Sequence, residues 1–142
     1  MNNIKTKKLT ILQVLPALNS GGVERGTLEI SKYLVSKKHR SIVVSEGGRM
    51  RDKLVKEGGE HIELAIGKKS LLTLRLIPKL IKILSTNNVD LIHIRSRFPA
   101  WICLIAIKFM ENKKIPSIVT TFHGPYSINR YSSIMTKGDA VI

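Results

Sequence analysis

Short apolar runs alternate with amphipathic stretches along this chain, and each change of period marks an element boundary. Residues 9–15 (Leu-Thr-Ile-Leu-Gln-Val-Leu) are mostly apolar, which predicts a first strand buried on both faces. A loop with two adjacent glycines, Gly21 and Gly22, follows. Apolar Leu28, Ile30, Tyr33, Leu34 and Val35 against polar Glu24, Glu29 and Ser31 then predict a helix over 23–36. A second strand is expected at 41–45, a charged helix at 49–57 stopped by Gly58 and Gly59, and a short third strand at 61–64. Ser70 suits the cap of a helix reaching residue 84, with Leu72, Leu76, Leu80 and Ile83 at turn spacing. Pro78 lies inside that pattern and is expected to kink or split it. A fourth strand at 90–94, an apolar helix at 99–110, a fifth strand at 117–122 and a final run at 139–142 complete the pattern.

Strands alternating with helices call for a parallel sheet covered on both faces, a Rossmann-like doubly wound α/β domain. Residues 1–8 are expected to be a flexible basic N-terminus, and 9–142 the domain. The last run opens a strand that no helix follows, so the chain is expected to be cut in mid-architecture. It would be a fragment of a longer protein or the product of a split or truncated gene.

Composition narrows the partners. The 142 residues suit one domain, and 43% hydrophobic content supplies a core. The formal charge of +14, from 24 basic residues spread along the chain, favours polyanions such as nucleic acid, anionic lipid or phosphorylated glycan. Compositional drift toward Lys, Ile and Asn is the plainer reading of the same excess. Nucleic acid ranks last, because aromatics make up only 5% and no nucleic-acid module is present. Cys103, the one cysteine, rules out an intramolecular disulfide and reads as a buried space-filler in a reducing compartment. The N-terminus has no signal-peptide pattern, and no segment reaches the roughly 18 apolar residues that span a bilayer. A cytoplasmic protein is expected, peripheral at most on the inner face of the membrane. Arg75, Lys79 and Lys82 among the leucines of 71–84 fit docking on an anionic leaflet, although leucines at that spacing equally suit a core helix.

Ligands of doubly wound sheets collect at the carboxyl ends of the strands. That rule selects the loop 16–22, the segment Arg95-Ser-Arg-Phe-Pro and the segment Phe122-His-Gly-Pro-Tyr. Gly21 and Gly22 join a strand tip to a helix N-terminus, a corner that favours anions, or they simply permit a tight turn. Arg95 and Arg97, one serine apart, suit a phosphate or carboxylate, or else are solvated loop charges. His123 stands at the rim, where an imidazole can donate or accept a hydrogen bond near neutral pH. His93, inside a strand, reads as structural, and His39 and His61 carry no assigned role. There is no zinc spacing, no Walker phosphate loop and no G-x-G-x-x-G, which weighs against a nicotinamide enzyme.

Three segments in order carry a family resemblance: Asn19-Ser-Gly-Gly-Val-Glu-Arg-Gly, Val89-Asp-Leu-Ile-His-Ile-Arg-Ser-Arg-Phe-Pro-Ala-Trp and Thr120-Thr-Phe-His-Gly-Pro-Tyr. Together they resemble the N-terminal domain of the retaining GT-B glycosyltransferases of family four, over essentially all of 9–142. The Ser-Arg-Phe-Pro-Ala-Trp version is similar to enzymes that build lipopolysaccharide and other surface glycans. The resemblance implies two Rossmann-like domains facing across a cleft, the first holding a glycan or glycolipid acceptor and the second the nucleotide-sugar donor. It implies that Gly21 and Gly22 approach the donor diphosphate and that His123 lies beside the transferred sugar as the catalytic-site residue. Arg95, Ser96 and Arg97 are then the expected contacts for acceptor phosphate or carboxylate. No metal and no cofactor beyond the donor substrate is implied. The resemblance extends only over the first domain, so the chain is expected to depart from the family in lacking the second, with its paired-glutamate motif and basic donor-phosphate residues. Alone it is expected to be inactive; half of a split enzyme, or a non-enzymatic remnant, is the alternative.

Overall fold

Six parallel strands form one sheet in the order β3-β2-β1-β4-β5-β6: β1 (Thr10–Val14), β2 (Arg40–Ser45), β3 (Glu60–Glu63), β4 (Leu91–Ile94), β5 (Ser117–Thr120) and β6 (Ala140–Val141). This computed structural model describes residues 6–110, 113–125 and 127–142. Residues 1–5 of the expected N-terminal segment, and Tyr126 of the segment after the fifth strand, lie outside them. The expected Rossmann-like α/β architecture is present. The chain leaves β1 for β2 on one side and returns through β4 on the other, so a topological switch point opens between β1 and β4.

Helices cover both faces. α1 (Gly22–Ser36) and α2 (Arg51–Lys56) lie on one, while α3 (Ile77–Thr86) and α4 (Arg97–Lys108) pack together on the other. The α3–α4 face is almost purely apolar: Leu12, Val14, Ile42, Val44, Ile92, Ile94 and Ile118 meet Leu80, Ile83, Leu84, Ile102 and Cys103. Removing one such side chain from water contributes about 1.5–3 kcal/mol. Cys103 is fully buried, and burial pushes its thiol pKa up to about 12, which suits a space-filler.

The opposite face buries Leu15, Leu28, Val43 and Leu54 among polar groups. Gln13, Ser41, Ser45, His93 and Arg95 alternate onto it, all buried. Each is hydrogen-bonded: Ser41 Oγ donates to Ser31 Oγ at 2.8 Å, Ser45 Oγ pairs with His61 Nε2 at 2.9 Å, and His93 Nε2 with Thr121 Oγ1 at 2.6 Å.

Several boundaries differ from the sequence pattern. The helix expected over 70–84 is two elements, a 3₁₀ helix Leu71–Leu76 and α3, with Pro78 in the first turn of α3, where its missing N–H costs nothing. Ser70 does cap the start, its Oγ accepting the Leu72 N–H at 3.2 Å. α4 begins at Arg97 rather than 99, α2 spans less than the expected 49–57, and β5 ends at Thr120 rather than 122. A second 3₁₀ helix, Ser132–Thr136, was not expected from the pattern. Asp90 and Asp139 sit just before their strands. Asp90 Oδ2 accepts the Thr10 N–H at 2.8 Å and Asp139 Oδ2 the Ile118 N–H at 2.7 Å, each pinning the start of the neighbouring strand. No helix among the described residues is long and apolar enough to cross a membrane.

Candidate functional site

The carboxyl ends of β1, β4 and β5 open into a cleft of about 340 Å³ lined by Leu15, Pro16, Ala17, Val23, Glu24, Arg95, Ser96 and His123. It lies at the switch point, where the sheet's own connectivity parts the loops. Three of the segments singled out in the sequence therefore meet in one place.

Gly21 caps α1 through its backbone alone, with no side-chain hydrogen bond. Its φ of +150° suits glycine, and a Cβ there would lie 2.6 Å from Glu24 Oε2. Gly22 begins the helix, and an added Cβ would meet nothing within 4 Å. The first turn of α1 thus borders the cleft, with the Glu24 carboxylate folded back beside Gly21, the place a helix N-terminus offers to an anion.

The turn holding these glycines is braced by a second glycine pair. Leu18 N–H donates to Gly47 O at 2.8 Å, Met50 N–H to Leu18 O at 2.8 Å, and Glu46 N–H to Pro16 O at 3.0 Å. Gly48 has φ +142°, and a Cβ on it would lie 2.5 Å from the Leu18 carbonyl carbon. Sequence reasoning missed Gly47 and Gly48, although two adjacent glycines at a strand end were signal enough.

Arg95 is 5% exposed. Its Nε donates to Gln13 Oε1 at 3.2 Å, and Gln13 Nε2 donates in turn to Thr27 O on α1 at 3.0 Å. Burial lowers its pKa from the ordinary arginine value, yet a guanidinium stays charged in any protein setting. The cleft thus holds a buried cation, Arg95, and a carboxylate, Glu24, on the same lining. Gln13 was also missed; a glutamine inside an otherwise apolar strand was its signal.

Arg97 does not line the cleft. As the first residue of α4 it turns to the other face, where Nη1 donates to Ser132 Oγ at 2.9 Å and the guanidinium lies 5.2 Å from the Tyr131 ring centre. The expected pair of arginines is thus divided by the strand-to-helix turn, while Ser96 between them faces the cleft. His123 is exposed at the rim, followed by Gly124 at φ +121°. Partial burial and then the Arg95 charge pull its pKa below the ordinary histidine value, with Glu24 opposing. The imidazole is therefore neutral at pH 7 and can both donate and accept hydrogen bonds. His93, behind it, is buried; burial foremost, then Arg95 and His123, bring its pKa down to about 4.

Comparison with known proteins adds the following. The model of the family Glycosyltransferase Family 4 matches residues 20–141. A solved glycosyltransferase from Rickettsia africae ESF-5 is similar to this chain at 42% identity and a TM-score of 0.79, over 96% of this chain and 36% of its own. This chain thus spans about a third of the length of that structure. No curated protein matches.

Proposed function

This chain belongs to glycosyltransferase family 4, and on that premise we propose that it is the acceptor-side, N-terminal part of a retaining GT-B enzyme. The enzyme moves a sugar from a nucleotide-sugar to a lipopolysaccharide-like or other glycan acceptor, working peripherally on the inner face of the membrane. The observation that carries this reading is the cleft at the β1–β4 switch point, where the α1 N-terminus, Arg95 and His123 share one wall.

In this reading the backbone at Gly21 and Gly22 approaches the donor diphosphate, which the helix N-terminus and the Arg95 charge both favour. The neutral imidazole of His123 contacts the donor sugar beside the reacting centre. Ser96 and Arg95 meet an acceptor phosphate or carboxylate in the cleft. Arg97, around the turn, meets a part of the acceptor that runs over the rim toward Tyr131. The second domain would supply the remaining donor contacts, as a continuation of this chain or as a separate C-terminal half.

The test uses this chain joined to a matching C-terminal half. His123→Ala is expected to lower turnover by about 10²- to 10⁴-fold, the usual contribution of a group acting in the transition state, while acceptor KM changes little. Steady-state kinetics and thermal melts on the same variant decide. Unchanged turnover with a normal melt removes His123 from the reaction; a collapsed melt makes it structural.

A further inference from the structure

We propose that the 3₁₀ helix Leu71–Leu76 is a membrane-contact element, dipping three leucines into an anionic lipid surface beside the mouth of the cleft. Leu71, Leu72 and Leu74 are 85%, 64% and 42% exposed, side by side in one short element. The neighbouring α3 turns its own apolar residues, Ile77, Leu80, Ile83 and Leu84, into the core. The outward leucines are therefore not the visible edge of a core stripe.

The element is held rigidly. Ser70 caps it, buried Thr73 donates its hydroxyl to Lys68 O at 2.6 Å, and the Thr73 N–H donates to Ser70 O at 3.0 Å. An apolar tip that is already ordered loses little conformational entropy on insertion.

Charge selects the occupant. Between Glu63 and Asp90 there is no acidic residue, while Lys68, Lys69, Arg75, Lys79 and Lys82 are all exposed. Apolar tips ringed by cations match a bilayer with anionic headgroups, where leucines enter the acyl boundary and lysines stay at phosphate level. Aromatic groups flank the same edge. Lys69 Nζ lies 5.1 Å from the Tyr131 ring centre, and Trp101, partly exposed, donates Nε1–H to Tyr131 O at 3.2 Å.

The position fits an acceptor carried in that bilayer. Gly67, four residues before Leu71, packs so closely on Pro16 that a Cβ would lie 2.4 Å from its Cβ, and Pro16 lines the cleft. A headgroup held at this edge is thus adjacent to the site. Only this last point rests on the glycosyltransferase reading, since lipid binding needs no turnover.

The full chain, Leu71→Ser/Leu72→Ser/Leu74→Ser, and Lys68→Gln/Lys69→Gln/Arg75→Gln are each sedimented with phosphatidylcholine vesicles and with vesicles that also contain phosphatidylglycerol. The parent is expected to bind the anionic vesicles alone. Each cation near the surface is worth about fivefold, so the glutamine variant should weaken binding by about 100-fold. The serine variant should lose at least about tenfold with an unchanged thermal melt, because its leucines contact solvent rather than core. Equal binding to both vesicle types, or full binding by the serine variant, overturns the proposal. So does a serine variant that binds vesicles normally but no longer associates with an added C-terminal half, which assigns the leucines to a domain interface. Absent sugar transfer leaves this result intact, and failed vesicle binding leaves the proposed transfer standing.

Discussion

Arg95 enters the α1 side of the sheet with no carboxylate within ion-pair distance among the described residues, an arrangement that stability alone does not favour. Gln13, itself tied to α1, is what orients it. Burial first, and then the Arg95 charge, hold His93 and His123 below their ordinary pKa. For His93 this has a thermodynamic consequence. Its folded pKa of about 4 lies below the unfolded value of about 6.5, so on acidification the unfolded chain takes up the proton first. Stability attributable to His93 is whole above pH 6.5 or so and falls toward pH 4, by up to about 3 kcal/mol. Urea unfolding at about pH 7, 6 and 5 is expected to show a flatter profile for His93→Gln than for the parent. His61 and His123, also lowered, leave a residual slope. An identical slope in the variant would mean that His93 titrates as it does in the unfolded chain. Asp90 acts in a different window. The hydrogen bond from Lys114, then that from Thr10 N–H, lowers its pKa, so its contribution is lost only as pH falls below the ordinary carboxylate range.

Loops after β1 and β2 behave as one element. The backbone bonds of Leu18 to Gly47 and Met50 join them, and Gly48 sits where only a missing side chain lets the two turns touch. Gly48→Ala adds both positive-φ strain and a clash with the Leu18 backbone, and is expected to cost about 1–3 kcal/mol of stability. Gly22→Ala, at a helix start with open space around it, is expected to stay within about 0.5 kcal/mol of the parent. Chemical denaturation of the pair checks the contrast. Equal stability of the two variants would show that the second glycine turn yields freely. The same scale explains the divided helix at 71–86. Pro78 cannot accept an interior position, so the regular helix starts just before it and the preceding turn tightens to 3₁₀ geometry.

Across the whole molecule, one face of the sheet is almost purely apolar and the other is laced with polar groups, of which Gln13, His93 and Arg95 lie on, or directly after, the strands that flank the switch point. The cleft therefore grows out of the face that the core does not fully claim. The α1 N-terminus, Ser96 and His123 are part of its lining. Assayed by themselves with a panel of nucleotide-sugars and glycolipid acceptors, these 142 residues are expected to transfer little or no sugar. Joined to a matching C-terminal half they are expected to transfer it. Robust turnover by the 142 residues alone would mean that a complete donor site exists within this sheet's loops. No turnover by the joined protein would favour a non-enzymatic role.

The sequence by itself determined the order of the strands and α-helices and the parallel doubly wound class, but neither of the two 3₁₀ helices. Apolar period and glycine or proline punctuation are local properties, and alternating strands with helices leave few ways to cover a sheet. It also marked the rim residues, because strand ends are readable wherever an apolar run stops: Gly21, Gly22, Arg95, Ser96 and His123 were all legible in that way. What the tertiary structure decided was direction and partnership. Whether Arg95 and Arg97 act together depends on a strand-to-helix turn that sends them to opposite faces. Whether the leucines of 71–84 are core or surface depends on which turn packs against α4. The bracing of one glycine loop by another joins residues about thirty positions apart, as Leu18 and Gly47 show. Such contacts arise only when the sheet brings strand ends together, and no local period encodes them.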